Sequence, residues 1–126
     1  MNRSTAETRL ISCPNRPSCV CSLESRPRHR IEPFQLESPE EVSFAALRDL
    51  LSQEPRVEVV KSEADYLHCV FRTRLFRFAD DVEMFRGAAG RVEVRSCSRK
   101  GYYDFGVNRR RIESLRLRLR SAGIIK

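Results

Sequence analysis

The chain has 126 residues, which fits one domain, and a domain of this size buries roughly two-thirds of its unfolded surface, enough for a core without obligatory staples. Its composition of 40% hydrophobic and 33% charged residues is ordinary for a globular protein. No apolar run approaches the ~18 residues of a spanning helix, and the stretch MNRSTAETRLISCPNRPSC lacks the apolar centre of a signal peptide, so a soluble, cytoplasmic protein is expected.

The net charge is +7, and 21 of the 24 basic residues are arginines. Six arginines and one glutamate lie between Arg109 and Arg120, so most of the excess sits there. That asymmetry raises an anionic partner, nucleic acid included. A solvated helix face gives the same pattern. Five cysteines, an odd count without an export signal, read as free thiols of a reducing compartment.

Residues 1–12 read as a flexible tail, and residues 13–126 as a single domain. The segment Cys13-Pro14-Asn15-Arg16-Pro17-Ser18-Cys19-Val20-Cys21 holds two prolines and should form an extended loop. Ser38-Pro39-Glu40-Glu41 predicts a helix start, with Ser38 as cap, Pro39 at the first position and Glu41 completing a capping box. The helix should run from Pro39 to Gln53, with Val42, Ala46, Leu47, Leu50 and Leu51 on one face.

Four strands are expected next, at Arg56–Lys61, Tyr66–Arg74, Ala79–Phe85 and Arg91–Ser98. Their short connections imply an antiparallel meander. Alternation places Val57, Val59, Leu67, Cys69, Phe71, Val82, Met84, Val92 and Val94 on one face. Glu58, Tyr66, His68, Arg72, Arg74, Asp81, Glu83, Glu93, Arg95 and Cys97 fall on the other, expected to face water. A closing helix begins near Asn108 as N-cap, buries Ile112, Leu115 and Leu119, and stops at Gly123. The fold class is α+β, a four-stranded antiparallel meander with two helices in the order α-β-β-β-β-α, both on the apolar face.

Three places could hold chemistry. On the charged sheet face, arginines paired with Asp81 and Glu83 either stabilise the sheet or present guanidinium forks to a ligand, with His68 as acid or base. In the segment 96–111, Asp104 and Asn108 precede the helix, where N–H groups and Arg99, Arg109 and Arg111 would suit an anion. The same residues could simply cap the helix and pair with carboxylates. The third place is the cysteine loop. Its spacing does not fit a common zinc knuckle. A Cys13–Cys19 disulfide fits geometrically but needs an oxidising compartment. No nucleotide-binding, metalloprotease or serine-hydrolase motif occurs.

The segments CPNRPSCVCS, HRIEPF, YLHCVFRTRLFRFADDVEMF and VEVRSCSRKGYYDFGVNRRRIESLR, in that order, resemble the family catalogued as domain of unknown function 1499. The likeness spans Cys13 to Leu119. Cys13, Cys19, His68, Arg74, Asp80, Asp81, Glu83, Arg95, Arg99, Asp104, Asn108, Arg109 and Arg111 coincide with the family pattern. Cys21 and Cys97 replace small residues of that pattern, which leaves Cys13 and Cys19 as the one pair with a motif behind them. The resemblance implies no activity. Many relatives look exported or membrane-tethered.

Three functional readings follow. The first is a non-catalytic binding or scaffold domain that engages a small anion or a protein partner. Its site would draw on His68, Arg74, Asp81, Glu83, Arg95, Arg99, Asp104, Asn108, Arg109 and Arg111. The second is an enzyme using His68 with Asp81 or Glu83 as acid and base, and Arg95 or Arg99 as anion clamp. The third is nucleic-acid binding through the arginine-rich helix. Its apolar stripe argues that this helix is docked, so the first reading is preferred. It implies no metal and no cofactor.

Overall fold

A computed structural model describes residues 10–74, 78–101 and 103–126. The strand that organises it is Arg91–Ser98, here β6, which is buried along nearly all of its length. In chain order the elements are β1 (Cys19–Cys21), β2 (Phe34–Gln35), α1 (Glu40–Ser52), β3 (Val57–Ser62), β4 (Tyr66–Arg72), β5 (Ala79–Arg86), β6 and α2 (Val107–Ser121), with short 3-10 turns at Pro27–His29 and Ala88–Gly90.

The expected meander of β3, β4, β5 and β6 is present, antiparallel throughout. The sheet nevertheless has six strands, ordered β1-β6-β5-β4-β3, with β2 also on β6. The lead-in expected as a loop supplies the two extra strands, so α1 lies between strands. β1 pairs with Arg95–Cys97 and β2 with Arg91–Val92. The physical need is clear: without them the outer edge of β6 would expose a row of unpaired backbone groups.

Alternation along the four long strands sorts the faces as expected. Leu67, Cys69, Val82, Met84, Val92 and Val94 join the main core, with Val57, Val59 and Phe71 packed at its margin. Both helices lie on this face. α2 contributes Ile112, Leu115 and Leu119, the predicted stripe.

α1 keeps most of its expected stripe, with Leu47 and Leu51 buried and Ala46 and Leu50 packed at the margin of the core, and departs from it at Val42 and Phe44. Phe44, Leu47 and Leu51 are its buried apolar residues, and Val42 points outward at 63% exposure. The capping box does not form either. The Ser38 hydroxyl donates to Glu40 Oε2 at 2.9 Å, and Pro39 occupies the cap position with no side-chain bond to the helix.

α2 ends in a Schellman motif. Ile124 N–H donates to Leu119 C=O at 2.9 Å and Gly123 N–H to Arg120 C=O at 3.0 Å, with Gly123 at φ 75°. The tail then returns to the sheet. Ile124 and Ile125 are buried, and Lys126 N–H donates to Gln35 C=O at 2.8 Å.

The second face is not open to water along its length. Leu10, Cys13, Cys19, Cys21, Tyr66, Phe85 and Cys97 form a second buried cluster there, with Leu23 against it. The N-terminal lead-in thus covers part of the face that alternation marks as polar. No helix of the described residues is long and apolar enough to cross a membrane.

Candidate functional site

Asp80 and Asp81 are neighbours in β5, so they face opposite sides of the sheet. This divides the candidate residues into two groups.

On the outer face, His68, Glu83, Arg95 and Cys21 form one cross-strand row, and Val70, Asp81, Cys97 and Cys19 the next. His68 Nε2 lies 2.8 Å from Asp81 Oδ1. Arg99 grips the same carboxylate with both arms, Nε to Oδ2 at 2.9 Å and Nη2 to Oδ1 at 3.0 Å. Burial pushes the Asp81 carboxyl up, but the hydrogen bonds from Arg99 and His68 more than offset this and hold it below its usual range. Tyr66 O–H donates to Glu83 Oε2. Arg95 Nη1 stands 3.6 Å from Glu83 Oε1. Arg95 is buried beneath the lead-in, where its Nη2 reaches only Ser12 C=O at 3.5 Å and its Nε has no acceptor among the described residues.

On the helix side, Asn108 is fully buried beneath the first turn of α2 and joins three elements. Its two Nδ2 protons are shared among Ser98 Oγ (2.9 Å), Asp104 Oδ2 (2.8 Å) and Ser18 C=O (3.2 Å), while its Oδ1 accepts from Ser96 Oγ at 2.6 Å. Asn108 is therefore not the cap. Gly106 holds the cap position, and Asp104 supplies the carboxylate there, accepting from Gly106 N–H and Asn108 N–H, both at 2.9 Å. Those N–H groups were the expected anion site, and a carboxylate of the chain itself occupies them.

Arg111 turns back to the sheet. Its Nη2 lies 2.7 Å from Asp80 Oδ2, and its guanidinium stacks over Phe71 at 5.0 Å. Arg109 donates to the carbonyls of Arg30 and Arg28 at 2.8 and 3.0 Å. Arg74 is exposed in the link after β4, apart from both groups.

Beside this network lies a cavity of about 340 Å³. Among the described residues, Phe78, Tyr103, Phe105 and Val107 give it apolar walls, and Asp80, Ser98, Asp104, Thr73, Lys100 and Gly101 also line it. It opens on the helix side of the sheet at the 98–107 turn, and His68 does not line it. Tyr103 and Phe105 meet edge to face at 4.8 Å and are 58% and 74% exposed. Sequence reasoning gave Asp80 no role. Alternation could have found it, since Asp80 shares the face of Val82 and Met84, and Arg111 lies one helical turn before Leu115.

Cys13 and Cys19 form a disulfide, so these two are not the free thiols expected. Cys21, Cys69 and Cys97 are free and buried. Burial pushes the Cys69 thiol up to about 11 and raises that of Cys21 as well. Both are poor nucleophiles at neutral pH. Among the described residues no group of three or more His, Cys, Asp or Glu side chains is placed to hold a metal ion.

No curated protein and no solved structure matches the chain. Residues 9–119 match the family described as "Protein of unknown function (DUF1499)". The match covers nearly the whole chain, and it includes every residue of the outer-face row and of the cavity: the protein belongs to the DUF1499 family.

Proposed function

We propose that the protein is a non-catalytic binding domain, and that its ligand is a small molecule with an apolar body and an anionic end, taken up in the cavity beside the 98–107 turn. The observation that carries this reading is the make-up of that cavity: aromatic walls around a few convergent polar groups, the usual form of a small-molecule site. Its two carboxylates are already neutralised, Asp80 by Arg111 and Asp104 by the N–H groups of α2. Among the described lining residues the exposed ammonium of Lys100 is then the charge left for a ligand. Ser98 Oγ accepts from Asn108, which leaves its own proton to donate.

The charged sheet face suits this role less well. Arg99 is held in both arms by Asp81, and Arg95 faces Glu83. An anion there would have to displace a carboxylate of the chain. The arginines of α2 are engaged in the same way. Arg109, Arg110 and Arg120 donate to backbone carbonyls, Arg111 pairs with Asp80, Arg116 with Glu113 and Arg118 with Glu54.

The test is calorimetric titration and thermal unfolding of the full chain with aryl carboxylates, aryl phosphates, and the matching amides and amines. Acids should bind and raise the midpoint more than their amides, and Phe105→Ala and Lys100→Ala should each weaken them. A flat response to every acid overturns the reading.

One observation favours a second reading, catalysis: the 2.8 Å contact of His68 with Asp81, the geometry of an oriented base. Hydrolysis of simple esters or phosphoesters that disappears in His68→Gln would establish it and displace the binding role.

A further inference from the structure

We propose that Cys97 is a third partner of the Cys13–Cys19 disulfide: Cys19 can be bonded to either of the other two, and exchange between them unties the segment 10–13 from β1 while fastening β1 to β6. The register carries this inference. Cys19 of β1 stands directly opposite Cys97 of β6. Ser98 N–H donates to Ser18 C=O, and Ser22 N–H to Val94 C=O, which fixes the hydrogen-bonded rungs of this ladder. Cys19 and Cys97 therefore occupy a non-hydrogen-bonded rung, where opposed side chains are closest and Cα atoms lie about 4.5 Å apart. That spacing falls within the range a disulfide spans.

Cross-strand partners share a face, and Cys13, Cys19 and Cys97 belong to one buried cluster. The charged groups about the Cys97 thiol are Arg16, whose Nη2 is 4.0 Å from Sγ, and Asp81, its cross-strand partner from β5. Asp81 is already tied to Arg99 and His68. The thiol otherwise donates only weakly, to Ser98 C=O at 3.7 Å.

The step is an internal thiol–disulfide exchange. Cys97 Sγ gives up its proton and attacks Cys19 Sγ. The Cys19–Cys97 bond forms, the Cys13–Cys19 bond breaks, and Cys13 leaves as a thiolate that takes up the proton. Nothing is oxidised or reduced overall, so no outside reagent is required. Afterwards the segment ahead of β1 keeps its non-covalent ties, chiefly Cys13 N–H to Glu24 and Arg26 to Cys13 C=O, both 2.8 Å. Its covalent tie to β1 is gone, and this segment, whose Ser12 C=O lies 3.5 Å from Arg95 Nη2, covers part of the outer face.

The experiment is disulfide mapping of the full chain under acid quench, by alkylation, peptic digestion and mass spectrometry. Wild-type protein equilibrated in a glutathione buffer should yield both the Cys13–Cys19 and the Cys19–Cys97 linked peptides, with alkylated Cys97 or Cys13 respectively. Cys97→Ala should leave the first alone. Cys13→Ser, mildly oxidised, should form the Cys19–Cys97 link within one molecule. A Cys13→Ser protein with native circular dichroism in which Cys19 and Cys97 both stay alkylatable overturns the proposal. Should that variant fail to fold, the wild-type map decides alone, and Cys13–Cys19 as its sole link is the negative result.

Discussion

Arg111 and Asp80 form a buried ion pair across the interface of α2 and the sheet, 2.7 Å between Nη2 and Oδ2, with side chains only 11% and 3% exposed. The guanidinium also covers Phe71 and accompanies Asn108 Oδ1 at 3.0 Å. Removing one member strands the other charge in a poor solvent. Arg111→Ala should therefore cost about 3–5 kcal/mol of unfolding free energy. The double variant Arg111→Ala/Asp80→Ala should cost less than the sum of the single ones. Urea unfolding of the four proteins of that cycle checks both statements. Additive losses would mean that the two charges are not coupled.

Asn108 is a different kind of tie. It is neutral, fully buried and bonded to β6, to the residue before β1 and to the turn ahead of its own helix. Asn108→Ala leaves the Ser96 hydroxyl proton without its acceptor and Ser98 Oγ without its donor, while the Ser18 carbonyl keeps Ser98 N–H and Asp104 keeps the backbone N–H of residue 108. The expected cost is about 1–3 kcal/mol per group left unsatisfied. Asn108→Asp should fare no better, because a carboxylate there would face Asp104. Thermal unfolding of the two variants is the measurement, and a loss within error of zero for either contradicts the network.

Much of this was readable from the chain because a strand repeats its environment every second residue. Leu67, Cys69, Val82 and Met84 could be assigned to the core by alternation alone, and β6 was bounded correctly at both ends. The first turn of α1 was not readable, although Ala46, Leu47, Leu50 and Leu51 meet the core as expected. Apolar residues at Val42, Phe44, Leu47 and Leu51 surround much of its circumference, and only the sheet beneath decides that Phe44 goes in and Val42 out. β1 and β2 escaped for another reason. Three and two residues are too few to show a period, and what makes them strands is the unpaired edge of a strand some seventy residues later. The cap of α2 was misplaced on Asn108 because Asn108 and Asp104 are both good caps. Burial reserves the first for the network and leaves the second for the helix. The cavity depends on how Thr73, Phe78 and Asp80 come to meet Ser98, Tyr103 and Phe105, and no local pattern states that.

Glu24 sets a pH dependence. Its carboxylate is buried, accepts from Cys13 N–H at 2.8 Å and is gripped by both arms of Arg26. The bonds from Arg26 chiefly lower it, burial opposes them, and the Cys13 N–H lowers it further, to about 2 from 4.5. A folded value below the unfolded one means that this stabilisation is complete above about 4.5 and is lost as the pH falls toward 2. Glu24→Gln should cost roughly 1.5–3 kcal/mol at neutral pH, the range for hydrogen bonds to a charged group. The gap from the wild type should close through the acid window. Denaturation midpoints at pH 7, 4 and 2.5 check it. A gap that stays constant, or widens in acid, would show that the carboxylate is not the group responsible.

Gly90 closes the tight turn into β6 at φ 76°, a region costly for residues with a Cβ. Space is short there as well. A Cβ would stand 2.7 Å from Glu40 Cγ and 3.0 Å from Gln35 Nε2. Gly90→Ala thus carries two penalties, a backbone strain of about 1–2 kcal/mol and a clash with the start of α1. Gly101 separates them, since it has φ 90° but, among the described residues, nothing within 4 Å of its Cβ position. Gly101→Ala should show the strain alone and destabilise less than Gly90→Ala. Glu40 is a long side chain at the first position of α1, so Glu40→Ala should recover part of the loss in the Gly90→Ala background, through relief of the clash, while the strain persists. Urea midpoints of these variants order the effects. Equal losses at the two glycines, with no recovery on removing Glu40, would mean that conformational strain alone makes glycine necessary at position 90.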